Sequence, residues 1–486
     1  DHRDLHYPLR RQRQMCIRDS VIGMIVAITH IVPCIRQFLV FALFVGSTGC
    51  SAGFLGEKET EERLKGKRIS INYLKNDLIA NKGLENVKIV LPYPKVNKTW
   101  LNQGGNPTNS VQHLSLGEIP QKIWDIKAGV GSSDDSVLLA SPIIINGKVF
   151  VLDAKGRLKA FNLADGSSIW EYSLKPAEDS VYSGAIASDS KFIFVTLGSG
   201  ELVCIQSSDG SEVWRTSIKS PLRGGANVVD GRVYVVTIDN KTLSFSAKTG
   251  QRLWTHSGAS ESAALIGGGS PAVKSGVVVV SYSSGEVFGV KAETGRVFWA
   301  DHLGADNGLN GVAHIADING SPVIDRGLVF NISNSGRLLA TELKTGRRIW
   351  ERSISGSNTP WIAGEFIFII SNEGQIICLT RKSGLVKWVT QMPVFESPDD
   401  KEGIIKYVGP IIAGDRLVLA SSRGEIYSLS PYKGTILGKV NVSGNVYISP
   451  IVAGQTLLVL SDSGVCLLYT SPSPRDATLS RMPSSA

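Results

Sequence analysis

The sequence predicts an all-β protein: an eight-bladed β-propeller of four-stranded antiparallel blades, with the last blade closed by an N-terminal strand. Three observations carry this. The first is a fixed ruler of glycine, glycine ten residues on, and tryptophan four beyond, as in Gly156, Gly166 and Trp170. It recurs at Gly200–Gly210–Trp214, Gly285–Gly295–Trp299, Gly336–Gly346–Trp350 and Gly374–Gly384–Trp388. The second is a β-branched apolar run before each first glycine, such as KVFVLD, KFIFVT, GVVVVSY and FIFIIS. The third is an orphan tryptophan strand, QKIWDIK at 121–127, with nothing before it to pair with.

Each repeat reads as strands A to D. Strand A is the short run in SPIIING or SPAVKSG, strand B the apolar run, and strand C the alternating stretch between the glycines (RLKAFN, EVFGVK). A turn of Asp-Gly, Thr-Gly or Ser-Gly then leads into strand D, and such dipeptides between alternating strands are strong hairpin signals. The Trp124, Trp170, Trp214, Trp254, Trp299, Trp350 and Trp388 spacings of 46, 44, 40, 45, 51 and 38 residues suit one blade each. Asn240 replaces the first glycine of the third copy, and asparagine is the non-glycine residue best suited to a left-handed turn. The seventh copy has Gly438 where tryptophan is expected, and a copy opening at Gly464 fails at Pro474. A large aromatic recurring on one strand face reads as packing between neighbouring blades. Seven full copies over about 137–441, an opened eighth and the orphan strand make eight blades if the ring closes, which also removes sheet edges.

Along the chain, residues 1–20 and 466–486 have no strand pattern. Met15–Asp19 and Cys466–Thr470 can be encoded by complementary strands of one DNA, so both ends read as adapter-derived and the eighth blade as truncated after Val465. Residues 21–50 are strongly apolar with one Arg at 36 and end in GSTGC, which resembles a bacterial lipobox with Cys50 lipidated, although Ser47 stands where Leu is usual. Residues 51–118 read as a tether, of which about a dozen around TWLNQGGNPTNSVQH lie against the ring, and 119–465 as the propeller.

The formal charge is +8. The five Arg and three Asp of 1–20 and the two Arg and one Asp of 466–486 account for +3 of it, leaving +5. The remaining charges are interspersed, with no basic run or aromatic-basic stripe, which argues against a nucleic-acid partner. Of six cysteines, Cys204 and Cys378 sit on strand C of the second and sixth blades, too far apart for a disulfide and best read as small buried residues. HExxH, CxxC, P-loop and GxSxG motifs are absent. GGGSP at 267–271 reads as a turn into strand A, and GSSDDS at 131–136 as a solvated loop rather than a calcium loop. No catalytic residue, metal ligand or cofactor is assigned.

Two resemblances follow. The repeat A-x-(D/K/S)-x-x-(T/D)-G-x-x-x-W is similar to that of pyrroloquinoline-quinone dehydrogenases, which implies an enzyme, but the adjacent cysteines those enzymes place over the quinone are missing. A repeat specifies a fold, and function must come from a site. The lipobox-like end, WLNQGGNPTNS, GSSDDS, RLVLASSRGEIYSLSP and WVTQMPVFESPDDKEGIIKYVGPIIAG together resemble the BamB family over about 95–465. That resemblance implies a non-enzymatic lipoprotein of the outer-membrane β-barrel assembly complex. It would dock on the POTRA domains of BamA beside other subunits, help deliver unfolded barrel clients, and be held at the periplasmic side of the outer membrane by a lipid anchor. The family's partner-contacting Leu-Arg-Gly matches Leu222, Arg223 and Gly224, and its Asp-x-Asp matches Asp317 and Asn319. These residues lie on connections from strand D to the next strand A, which share one face of a propeller; they are read as a docking surface there, the alternative being that Arg223 and Asp317 tie adjacent loops together.

Overall fold

The computed structural model describes residues 78–117, 121–174, 184–261, 265, 267–304 and 316–470. Expectations for residues 1–77, Cys50 among them, and for 471–486 lie outside the described residues.

Eight four-stranded antiparallel sheets succeed one another. The first blade is Ile143–Ile145, Lys148–Leu152, Arg157–Asn162 and Ser168–Ser173, running from the axis to the rim. Later blades repeat that order, ending in outer strands such as Glu212–Ser217, Arg252–Ser257, Val386–Gln391 and Ile436–Asn441. The eighth is Ile451–Ala453, Thr456–Leu460, Val465–Thr470 and Gln121–Lys127, so the N-terminal strand closes the ring by pairing with the last strand of the chain. The expectation that this blade stops at Val465 is corrected. Val465–Thr470 is a full strand, because Cys466, Leu467, Leu468 and Tyr469 form a short apolar run that is buried once both flanking strands are in place.

One device joins seven of the eight blade interfaces. Each outer-strand indole donates to a carbonyl of the next blade, three residues before its turn glycine: Trp124 to Leu163 O (3.0 Å), Trp254 to Ala292 O (2.9 Å), Trp299 to Leu343 O (2.7 Å) and Trp388 to Pro431 O (3.0 Å). Trp170, Trp214 and Trp350 do the same to Ser207, Ala247 and Arg381. The ring also lies on the turn glycine itself. At Gly210, whose φ is +78°, an added Cβ would meet Trp170 at 2.6 Å, so glycine is required both by the backbone and by the neighbour. In five blades the indole also leans on a strand-B aromatic, as Trp170 does on Phe150 with centroids 5.6 Å apart.

A β-bulge precedes every one of these tryptophans. Trp170 pairs with Ala160, but the next pair is Phe161 with Ser168, leaving Ile169 as the extra residue. Opposite six of the seven indoles the residue is small, Ala160, Cys204, Ser244, Gly289, Ala340 and Cys378, while Trp124 faces Leu468. Cys204 and Cys378 are therefore spacers for an indole. Burial pushes the Cys204 thiol up to about 12, so it is not a reactive thiolate.

The interface between the seventh and eighth blades differs. Gly438 replaces the tryptophan, and the eighth blade has no turn to receive one, because its last two strands come from opposite ends of the chain. Ligand and receptor are missing together. The outer strand Ile436–Asn441 is exposed at every residue.

Asn240 is more than a permissive turn residue. It has φ +57°, donates through Nδ2 to Ala259 O at 2.7 Å, and accepts at Oδ1 from the Ser283 amide and hydroxyl. It thereby couples the third blade to the fourth.

The tether reading is corrected for residues 95–116, which encircle the axis. The inner strand of every blade, or the turn that follows it, bonds to this hub segment. In ring order, the amide of Gly454 donates to Asn97 O, Trp100 exchanges two bonds with Ile144, and Ser188 donates to Leu101 O. Asn227 Nδ2 and the Val273 amide donate to Pro107 O, and the Ile324 amide donates to Thr108 O. The Gly364 amide donates to Gln112 Oε1, and Leu114 pairs with Ile412 and Gly414. The segment's ends then meet each other, Lys95 against His113 and Ser115. Backbone groups on the inner sheet edges, which would otherwise be left without partners, are satisfied by this loop.

Candidate functional site

The face that carries the connections from strand D to strand A holds the residues singled out in the sequence. Leaving Glu212–Ser217, the chain turns inward and runs beside the end of the third blade's second strand. Arg223 N donates to Val236 O (2.9 Å), Ile238 N to Pro221 O (2.9 Å), and Leu222 bridges Thr237. That pairing fixes side-chain direction and sends Leu222 and Arg223 inward.

Arg223 is 4% exposed and Asp317 is 0% exposed. They form an ion pair through Nη2 and Oδ1. Arg223 Nε also donates to Gly267 O at 3.0 Å, and Asp317 Oδ2 accepts from the Leu265 amide at 2.7 Å. One ion pair thus staples three successive connections, those entering the third, fourth and fifth blades. The Gly267–Gly269 run admits the approach: an added Cβ would lie 2.8 Å from Arg223 Cγ at Gly268 and 2.5 Å from Ser321 Cα at Gly269. Gly224 abuts Gly268 O, where an added Cβ would be 2.5 Å away.

The arrangement is the alternative one, in which Arg223 and Asp317 tie adjacent loops together. Leu222, Arg223 and Asp317 are brought together with Gly224, but inside the face. Their physical role is to hold loops, since a buried charge is tolerated only when paired and hydrogen-bonded. Asn319 is partly exposed beside Gly267. Exposed positions on the same connections are Lys219, Pro221 and Glu261.

A second anchor went unread in the sequence. Asp239 accepts from Ser220 Oγ at 2.7 Å and pairs with Lys241 Nζ at 2.6 Å. Partial burial pushes its carboxyl up, but donors from Lys241, Thr237 and Ser220 outweigh this and hold it down at about 2. The loop carrying Leu222 and Arg223 is therefore tied at both ends. GSSDDS is likewise a clasp at the closure: Ser132 Oγ donates to Asp462 Oδ1 at 2.5 Å and accepts from the Leu138 amide. Among the described residues no group of three His, Cys, Asp or Glu is placed to hold a metal ion.

The family described as "Outer membrane protein assembly factor BamB" matches residues 154–390. Curated relatives with that description include one from Shewanella oneidensis, 25% identical over 75% of this chain and 93% of its own, and one from Escherichia coli, 24% identical over 72% and 89%. Among solved structures, BamB from Moraxella catarrhalis covers 73% of this chain and all of its own, with a TM-score of 0.63 and 17% identity. The chain resembles the BamB family in sequence and in fold. A europium-containing methanol dehydrogenase also matches, with a TM-score of 0.60 at 12% identity over 75% of this chain and 90% of its own, and shares the fold alone. In this BamB-like ring, three successive connections are stapled into one platform, and the hub segment occupies the axis.

Proposed function

We propose that the chain is a non-enzymatic accessory lipoprotein of the outer-membrane β-barrel assembly machinery, anchored through Cys50 at the periplasmic side of the outer membrane. In this reading it docks on the POTRA domains of BamA, works beside other subunits of the complex, and helps deliver unfolded barrel proteins. Similarity to a family described as an assembly factor carries the reading. The platform built on Arg223 and Asp317 supplies the docking face: Leu222, Arg223, Gly224, Asp317 and Asn319 position the loops, and Lys219, Pro221 and Glu261 face outward from them. Loops held rigid before binding lose little entropy on association, and binding residues concentrate on such loops. The free edges of the outer strands suit extended clients. A quinone-dependent oxidoreductase is the competing reading, and a cofactor on the axis would have to share it with residues 95–116.

Affinity capture from envelope extracts tests this. The full chain should recover BamA, and Lys219→Glu and Glu261→Lys should each weaken recovery roughly tenfold while leaving unfolding unchanged. Undiminished recovery by both variants would remove the docking face. A chain that recovers no BamA but oxidises an alcohol with added pyrroloquinoline quinone and a dye acceptor would establish the enzymatic reading instead.

A further inference from the structure

The opposite face, made of the turns between strands A and B and between C and D, carries a second surface. Residues 78–98 cross it from rim to axis. The Asn81 amide donates to Val386 O, and Lys387 Nζ binds Leu84 O and Glu85 O, both at the rim of the sixth blade. Val90 and Pro92 lie against the turn at Gly364, and His113 Nδ1 meets Pro92 O at 2.7 Å. This arm keeps Ile89 buried and turns its other apolar residues outward: Val90 is 72% exposed, Tyr93 93% and Val96 53%. Between them stand exposed Lys88, Lys95 and Lys98, none in an ion pair with a described residue. The carboxylates on adjacent turns are already engaged, Glu365 with Arg326 and Arg381, and Asp415 with Tyr432.

Further lysines flank the arm on this face. The C–D turns of the fifth, sixth and seventh blades, flanking the arm, present Lys344, Lys382 and Lys433. Those of the first and second present Asp165 and Asp209. Apolar side chains interleaved with unpaired lysines, an exposed tyrosine and two prolines are the chemistry of an anionic lipid–water interface, where aromatic rings sit at headgroup level and each lysine adds electrostatic attraction. We propose that this sector, centred on Val90, Tyr93 and Val96, rests on an anionic phospholipid surface. The proposal goes beyond the assembly role and stands whether or not the opposite face binds BamA.

The test places an environment-sensitive NBD probe at Tyr93→Cys in the full chain with Cys16, Cys34 and Cys50 replaced by serine. Vesicles of phosphatidylethanolamine and phosphatidylglycerol should shift the emission to the blue, and spin-labelled acyl chains should quench it. A probe at Lys219→Cys, on the other face, should stay aqueous. Lys88→Glu, Lys95→Glu and Lys98→Glu together should raise the lipid concentration required for the shift at residue 93 roughly 100-fold. An aqueous probe at 93 on these vesicles, an equal shift on phosphatidylcholine alone, or a shift that requires an added protein would each overturn the assignment.

Discussion

Arg223 and Asp317 show how a residue read as a contact can instead be the reason a contact surface exists. Both are sealed from water, so Arg223→Ala leaves a carboxylate buried with only the Leu265 amide to compensate it. A loss of about 3–5 kcal/mol is expected in urea unfolding. Replacing both partners, with Arg223→Met and Asp317→Leu, should recover much of that loss, because no charge is then left stranded. His256 makes a pH-dependent contribution elsewhere. Its Nδ1 meets the Tyr282 hydroxyl at 2.9 Å, and burial lowers its pKa, with Glu286 opposing. The native state therefore binds fewer protons than the unfolded chain, whose histidine titrates near 6.5. Stability from this group is present above that value and falls as the pH drops through the lower folded one. Thermal unfolding between pH 7 and pH 5 should show the decline, and His256→Phe should flatten that part of it.

At the level of the blade, the seven indole interfaces make a repeat with one designed exception. Trp388→Ala removes a buried ring and strands the Pro431 carbonyl, with an expected cost of about 3–5 kcal/mol. Gly438→Trp, which restores the repeat on paper, should gain nothing, since the eighth blade has no turn glycine to receive the ring. Scanning calorimetry on the two variants checks both outcomes. Cys204→Leu should cost about 1–3 kcal/mol by overfilling the space facing Trp214. The strands, turns and blade count were legible because glycine spacing and alternation are local signals. The bulges at Ile169 and its equivalents were not, since one extra residue in a pairing leaves no mark on a single strand. The hub segment was read only in part, as residues lying against the ring, for a related reason: its bonds run from Asn, Gln and backbone groups to eight distant strands, and its own sequence has no period. The site was half legible. The pattern located Leu222, Arg223 and Asp317 on one face, but not their inward direction, which depends on the pairing of Arg223 with Val236.

For the molecule as a whole, closure is non-covalent and made twice: outside, by Gln121–Lys127 on Val465–Thr470, and inside, by residues 95–116. Deleting 119–127 should expose the edge of Val465–Thr470 and turn a monomer into aggregates in light scattering. Asn109→Leu, which removes donors to Ser270 O and Pro322 O at 3.2 and 2.9 Å, should cost about 1–3 kcal/mol and loosen the axis, detectable as faster amide exchange at Val273 and Ile324. The hub also sets an order of events. Residues 95–116 are synthesised before every strand they bind, and those strands extend to Gly454. A chain emerging from a ribosome or threading through a translocation pore therefore holds the key to its ring while the lock is still unmade. Contacts across such sequence distances form slowly. The nascent protein stays open, and so able to pass through a narrow pore, until almost its last blade has arrived.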